Sequence, residues 1–394
     1  MNVSPPQRTD WPLVLLLFGG GLLASAQFGK VTLLLEPVGA AYGVAPARAA
    51  LAVSMLGIVG ILFGVVAGGV VARHGVRRVL LAALGVGGAV SLAQAVLPPW
   101  PVLLALRVLE GFAHLAIVVA APPLMAARAN DAQRPLVMGL WGMFFGVGFA
   151  LLAVILPPLM SAGGLPAVFA AHGAAMFTLA LLLAPRLPRR DARERSAAGA
   201  SPAGFARQHA TLYGSARMAA PSAIFFWHTL MFVGLLAVLP DLLGGGAWVA
   251  AALPLVSLAG TFSAGALARR VAPVTIGRWA FLGSLLIGPA LLLPGALALA
   301  AAFALIFTVG LIPGAAFAAI PHYNASAPSR ALASGGIAQV GNLGTTATAP
   351  LFAGAVAVAG QAGLAVLTAA IAAAGLVVLG LIARSLRNPA PAPL

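Results

Sequence analysis

Residues 49–97 read AALAVSMLGIVGILFGVVAGGVVARHGVRRVLLAALGVGGAVSLAQAVL. Two apolar runs, 49–72 and 79–97, flank a short connection that carries Arg73, Arg77 and Arg78. A helix of about 20 apolar residues crosses the hydrocarbon core of a bilayer, so each run is long enough for one crossing. The pattern recurs along the whole chain. Hydrophobic residues make up 61% and charged residues 7% of 394 positions, a composition that a water-soluble domain of this length could not hide from solvent. Working outward, the runs are 11–35, 49–72, 79–97, 101–127, 136–158, 164–184, 219–240, 247–268, 279–297, 299–321, 331–357 and 363–383. The predicted class is an all-α integral membrane protein with twelve transmembrane helices.

The basic residues sort onto one side of these runs. Arg8 precedes the first; Arg73, Arg77 and Arg78 follow the second; Arg128 and Arg134 follow the fourth. Seven arginines, Arg186 to Arg217, lie between the sixth and seventh runs. Arg269, Arg270 and Arg278 follow the eighth, Arg330 the tenth, and Arg384 with Arg387 the twelfth. That places 19 of 22 basic residues on one side, against Arg48 alone on the other. Short loops rich in Lys and Arg stay cytoplasmic, so both termini are expected inside, in a multi-pass protein of the cytoplasmic (inner) membrane. The net charge of +15 is then a topology signal. It argues against a nucleic-acid partner, which would need a soluble basic surface.

Composition excludes other chemistry. The absence of Cys rules out disulfides, thiolate metal sites and Cys nucleophiles. The first run is too long for a signal-peptide core and reads as the first membrane helix. No H-E-x-x-H, Walker loop, Gly-x-Ser-x-Gly or acidic cluster is present, so no enzyme, cofactor or metal is expected. Every connection is short except 185–218, which is polar, basic and rich in Ala, Gly, Ser and Pro. It reads as a cytoplasmic linker between six-helix bundles 1–184 and 219–394.

An offset of 196 residues aligns the two halves without gaps. Gly64 falls on Gly260, Gly69 on Gly265, Arg73 on Arg269, Arg134 on Arg330, Gly139 on Gly335 and Gly148 on Gly344. Internal duplication of this kind marks transporters that rock two halves around a central site. Gly60, Gly64 and Gly68, four apart, suit close helix packing in lipid.

The connection at 68–78, GGVVARHGVRR, resembles the signature loop of the major facilitator superfamily, whose pattern is roughly G-x-x-x-D-R-x-G-R-R. Residues 36–46, EPVGAAYGVAP, look like that family's connection between helices 1 and 2, and RVLEG at 107–111 is similar to its R-x-x-x-G motif. The resemblance implies two pseudo-symmetric six-helix bundles working by alternating access. Gly68, Arg73, Gly75, Arg77 and Arg78 would then be conformational residues, unless the arginines are topology determinants alone. One departure is Ala72, where the family carries an acid that helps latch one conformation; Ala268, at the repeat position, is no acid either. Below the superfamily, RPLVMGLW at 134–141, before the Gly-rich 142–148, resembles the cyanate permease and nitroimidazole-transport group. The fifth run lacks the Gly-Pro pair of the family's drug antiporters.

Ionisable residues at membrane depth usually face a partner or a water-filled cavity. By the family's architecture, the first, fourth, seventh and tenth helices line that cavity. Lys30 is the only lysine in the protein. It either snorkels to the outer interface or, with Gln27 one turn below, meets an anionic substrate. Arg107, Glu110, Gly111 and His114 share one helix face. Arg107 and Glu110 form a structural ion pair, or Arg107 joins Lys30 in holding an anion while Glu110 or His114 takes a proton. Trp227 and His228 on the seventh run, and the stripe Gln339, Asn342 and Thr346 on the eleventh, are further substrate candidates. For the stripe, interhelical hydrogen bonding is the alternative. His172, on an outer helix in this family, is expected to be structural. Pro122, Pro123, Pro254, Pro313 and Pro350 should kink their helices.

The function these residues imply is secondary transport of a small, anionic solute, proton-coupled or by exchange, in a monomer whose partners are substrate, protons and lipid. Two alternatives stand beside it. One is an exporter of apolar or cationic drugs, with Glu110 as the substrate carboxylate. The other is a transporter-like sensor or assembly partner that binds without moving substrate.

Overall fold

The computed structural model describes residues 8–44, 46–187, 202–244 and 246–387. Arg189, Arg190, Arg193 and Arg195 of the linker lie outside them. The described chain is helical, and twelve membrane-spanning segments follow from it. Spans one to four are α1 (Trp11–Thr32), α4 (Leu51–His74), α5 (Val76–Ala95) and α6 (Trp100–Arg128), with short helices α2 (Leu35–Tyr42) and α3 (Pro46–Ala49) between the first two. The fifth span joins α7 (Arg134–Gly142) to the start of α8 (Phe144–Leu183) across a 42° bend. The sixth is the rest of α8. After the linker helix α9 (Pro202–Tyr213) come α10 (Ala216–Leu242), α11 (Gly246–Leu267), α12 (Pro273–Ile287) with a 3-10 turn at Gly288–Leu292, and α13 (Ala296–Tyr323). α14 (Ala327–Arg387) supplies the last two spans.

Among the described residues nine helices are long and apolar enough to cross a membrane, ten with the bent pair counted as one. The remaining two are α11, whose apolar stretch Ala251–Leu267 is shorter, and the first part of α14, diluted by Ser334, Gln339, Asn342 and its threonines.

Boundaries differ from the sequence reading where polar residues enter helices. The first run continues to residue 35 in sequence, yet α1 stops at Thr32, and residues read as a connection form α2. α12 begins at Pro273, six residues before the expected start, because proline fits the first turn of a helix and Arg278 is carried inside. α5 likewise takes Arg77 and Arg78 into its first turn.

Glycines, rather than prolines, break the helices. α6 runs through Pro122 and Pro123, whereas α8 breaks at Gly163–Gly164 and α14 at Ala359–Gly360. Gly164 (φ 63°) and Gly360 (φ 53°) occupy left-handed backbone that costs an L-residue roughly 1–2 kcal/mol. They lie 196 residues apart, so the offset found in sequence also relates the two breaks.

The chain divides into two compact units: residues 1–130 with 144–208, and residues 131–143 with 209–394. In the first, α1 packs on α6 and α8, α4 on α6, and α5 on both α6 and α8. In the second, α10 packs on α13 and α14, α11 on α13, α12 on both α13 and α14, and α7 on α11 and α13. Glycine sets two of these seams. A Cβ on Gly111 would sit 2.7 Å from the Leu56 carbonyl, and one on Gly139 would sit 2.7 Å from the Gly265 Cα. Side chains larger than hydrogen would push either pair apart.

Candidate functional site

The close approach at Gly111 places the chemistry of the first unit. One turn earlier on both helices, Arg107 Nε donates to the Ala52 carbonyl at 2.7 Å. Glu110, three residues on, turns to the same interior. Its Oε2 accepts from Arg107 Nη1 at 2.6 Å and from Gln94 Nε2 at 2.8 Å, and its Oε1 lies 2.7 Å from Lys30 Nζ. Lys30, Arg107 and Glu110 are each at most 1% exposed. Among residues whose side chains are described, they are the charged groups that are buried.

Lys30 is therefore an interior cation and does not snorkel. Its Nζ also donates to Ser91 Oγ at 2.8 Å and contacts His172 Nδ1 at 3.3 Å, with the Phe169 ring 5.1 Å away. Ser91 passes its own proton to the Phe169 carbonyl at 2.8 Å. His172 Nε2 lies 3.1 Å from the Leu23 carbonyl; a carbonyl only accepts, so Nε2 carries the hydrogen and the neutral ring's Nδ1 lone pair faces Lys30. Four spans thus meet at one carboxylate and two cations.

Gln27 is fully buried, and neither its amide nitrogen nor its oxygen has a partner among the described residues. Arg107 Nη2 is likewise buried without one. An unpartnered buried donor costs about 1–3 kcal/mol. His114 stands slightly apart: its Nδ1 donates to the Ala24 carbonyl at 2.9 Å, and Phe28 meets its ring edge-on at 5.0 Å.

A crevice of about 180 Å³ opens between α1 and α8. Leu22, Leu151, Leu152 and Ile155 are among its apolar lining, and Lys30 and His172 are its polar residues.

Candidates in the second unit are dispersed. His228 donates from Nδ1 to the Val309 carbonyl at 3.1 Å and stacks on Phe232 at 5.0 Å. Trp227 is half-buried and packs edge-on against Phe226. Gln339 accepts from the Tyr213 hydroxyl at 2.7 Å and meets His209 Nε2 at 3.1 Å, both on linker helix α9. Asn342 and Thr346 turn back onto their own helix, at the Ala338 and Asn342 carbonyls.

In the signature loop, Gly68 is buried and Gly75 takes φ 85° as the single residue between α4 and α5. Arg77 Nη1 donates to the Ala184 and Leu187 carbonyls, tying the loop to the end of α8. Such carbonyls lack helical partners. Arg73 and Arg78 are exposed.

Ser91 and Gln94 also join the cluster, and their spacing of three within an apolar run is the sequence signal for them. His172, expected to be structural, contacts Lys30, which is compatible with that role.

Comparison with known proteins accounts for the architecture. No curated protein matches the sequence. The structure resembles the proton:xylose symporter XylE bound to 6-bromo-6-deoxy-D-glucose, at 14% identity over 95% of each chain, with a TM-score of 0.75. It resembles the E. coli fucose:proton symporter FucP at 16% identity over 94% of this chain and 97% of that one, TM-score 0.72. It also resembles the human organic anion transporter MFSD10 (TETRAN) at 18% identity over 95% and 100%, TM-score 0.71. The model of the Major Facilitator Superfamily matches residues 16–336. With the helix count, the repeated glycine breaks and that match, the chain belongs to the major facilitator superfamily, a family of multi-pass membrane transporters.

Proposed function

We propose that the protein is a secondary transporter for a small organic or inorganic anion, moved with protons or exchanged for another anion. The observation that carries this reading is the charge of the buried cluster: two cations share one carboxylate, and an Arg107 N–H and the Gln27 amide remain unpartnered. With both bases protonated the cluster would hold a surplus cation, which is costly when buried and which an incoming anion would offset. Lys30, Arg107 and Gln27 would bind the substrate. Trp227, His228, Gln339 and Asn342 are further substrate-binding candidates in the second unit, and Glu110 and His114 are the candidates for handling protons. The halves 1–184 and 219–394, joined by 185–218, would rock as a monomer in the cytoplasmic membrane, with both termini inside. The name of one similar structure, an organic anion transporter, fits this class. The likeness of 134–141 to the cyanate permease and nitroimidazole-transport group fits a small solute.

Export of cationic drugs is the weaker reading, because Glu110 already holds two cations at 2.6 and 2.7 Å. The test uses liposomes loaded with a pH-sensitive dye and a panel of lactate, pyruvate, gluconate, glucuronate and nitrate. One anion should acidify the lumen with wild-type protein and not with Lys30→Ala or Arg107→Ala. Silence across the panel and in radiolabelled exchange would reject anion transport and favour a non-transporting role.

A further inference from the structure

The cluster has an odd number of charges, and charge balance identifies which group must change. The groups that Lys30 contacts are Ser91 on α5, Glu110 on α6 and His172 on α8; Gln94 and Arg107 reach it through the shared Glu110 carboxylate, and Gln27 and His114 lie one turn away on α1 and α6. They include one carboxylate. Arg107 does not lose its proton in a protein. Glu110 receives a donor or a cation at both oxygens, contacts that it accepts as a carboxylate. His114 and His172 each donate to a backbone carbonyl. Lys30 alone combines a proton to lose with a lone pair in contact, that of His172 Nδ1 at 3.3 Å.

We propose that Lys30 carries the coupled proton, so that the cluster takes up one proton together with one monovalent anion, or neither. This rests on the transport reading above. With Lys30 as the amine, Arg107 and Glu110 cancel and the empty site is neutral. With Lys30 as the ammonium and an anion bound, the loaded site is neutral again. A proton without an anion leaves the buried cluster at +1, and an anion without a proton leaves it at −1; burial disfavours both. On release, the N–H bond of Lys30 breaks, its electron pair stays on Nζ, and the proton bonds to His172 Nδ1, giving an imidazolium. That ring borders the crevice between α1 and α8, through which the proton would leave.

The assignment predicts electroneutral 1:1 transport in which Glu110 stays ionised. Because Lys30 is the only lysine, lysine labelled with ¹⁵N gives one side-chain signal. We expect that signal to interconvert between ammonium and amine over the pH range in which wild-type protein catalyses proton-driven anion uptake, or over the physiological range if no panel anion moves. A signal that stays ammonium throughout would overturn the proposal, whatever the flux assay gives. In liposomes, Lys30→Arg should lose at least about 10-fold in uptake driven by a pH gradient. Uptake by the wild type should not respond to an imposed membrane potential. Gradient-driven uptake persisting in Lys30→Arg, or wild-type uptake that scales with potential, would also overturn it. Absence of all wild-type flux would reject the transport reading instead, and the lysine signal would still decide whether Lys30 titrates.

Discussion

Glu110 joins two buried basic side chains, so its removal and theirs have unequal consequences. Glu110→Gln leaves Lys30 and Arg107 buried without a counter-charge, and breaking such a pair costs about 3–5 kcal/mol. Lys30→Met leaves the Arg107–Glu110 pair at 2.6 Å intact and should cost less. Thermal unfolding in detergent should therefore rank Glu110→Gln below Lys30→Met; the opposite order would mean that the cluster is not organised around the carboxylate. Much of this site was legible in sequence. Spacings of three and seven put Arg107, Glu110 and His114 on one face, and a lone lysine among arginines drew notice. What could not be read was the register between spans. Nothing in a single sequence says that His172 on α8 and Ser91 on α5 arrive at Lys30, because that depends on how far each helix slides along its neighbours.

Helices in this protein approach one another and bend where side chains are missing. Gly111→Leu should force α6 away from α4 at Leu56 and Val59, and overpacking of this kind costs about 1–3 kcal/mol. It should also weaken the Arg107–Ala52 bond one turn away, so the variant should lose transport more severely than an equally destabilised variant elsewhere. Unchanged uptake in Gly111→Leu would show that this seam does not position the site. At the breaks, Gly164→Ala and Gly360→Ala meet little steric obstruction but keep positive φ, and each should lower stability by about 1–2 kcal/mol; chemical denaturation would measure the pair. α6 stays helical through Pro122 and Pro123, since neighbouring groups can satisfy a freed carbonyl within a packed bundle. Helix existence followed from hydropathy alone. Helix ends did not, because Arg77, Arg78 and Arg278 look like loop residues until their reach to carbonyls and interfaces is considered.

Across the whole molecule the two halves share a backbone plan and differ in chemistry. The repeated breaks at Gly164 and Gly360 point to a duplicated frame, while the buried charges described all sit in the first unit. The arginine bias predicts topology. With no native cysteine, a cysteine replacing Arg48 should react with an impermeant maleimide from outside intact cells, and one replacing Arg207 should react only after permeabilisation. The reverse pattern would invert the protein. Fold and membership were readable from run lengths, arginines and the loop at 68–78; the substrate was not, since no motif encodes it. The most direct test of the anion site is the unfolding temperature of purified protein with and without the transported anion. A ligand that binds only the folded state stabilises it by RT ln(1 + [L]/Kd). The anion should raise the unfolding temperature of wild type but not of Lys30→Met or Arg107→Gln. A shift that survives in both variants would place the anion elsewhere and contradict the account.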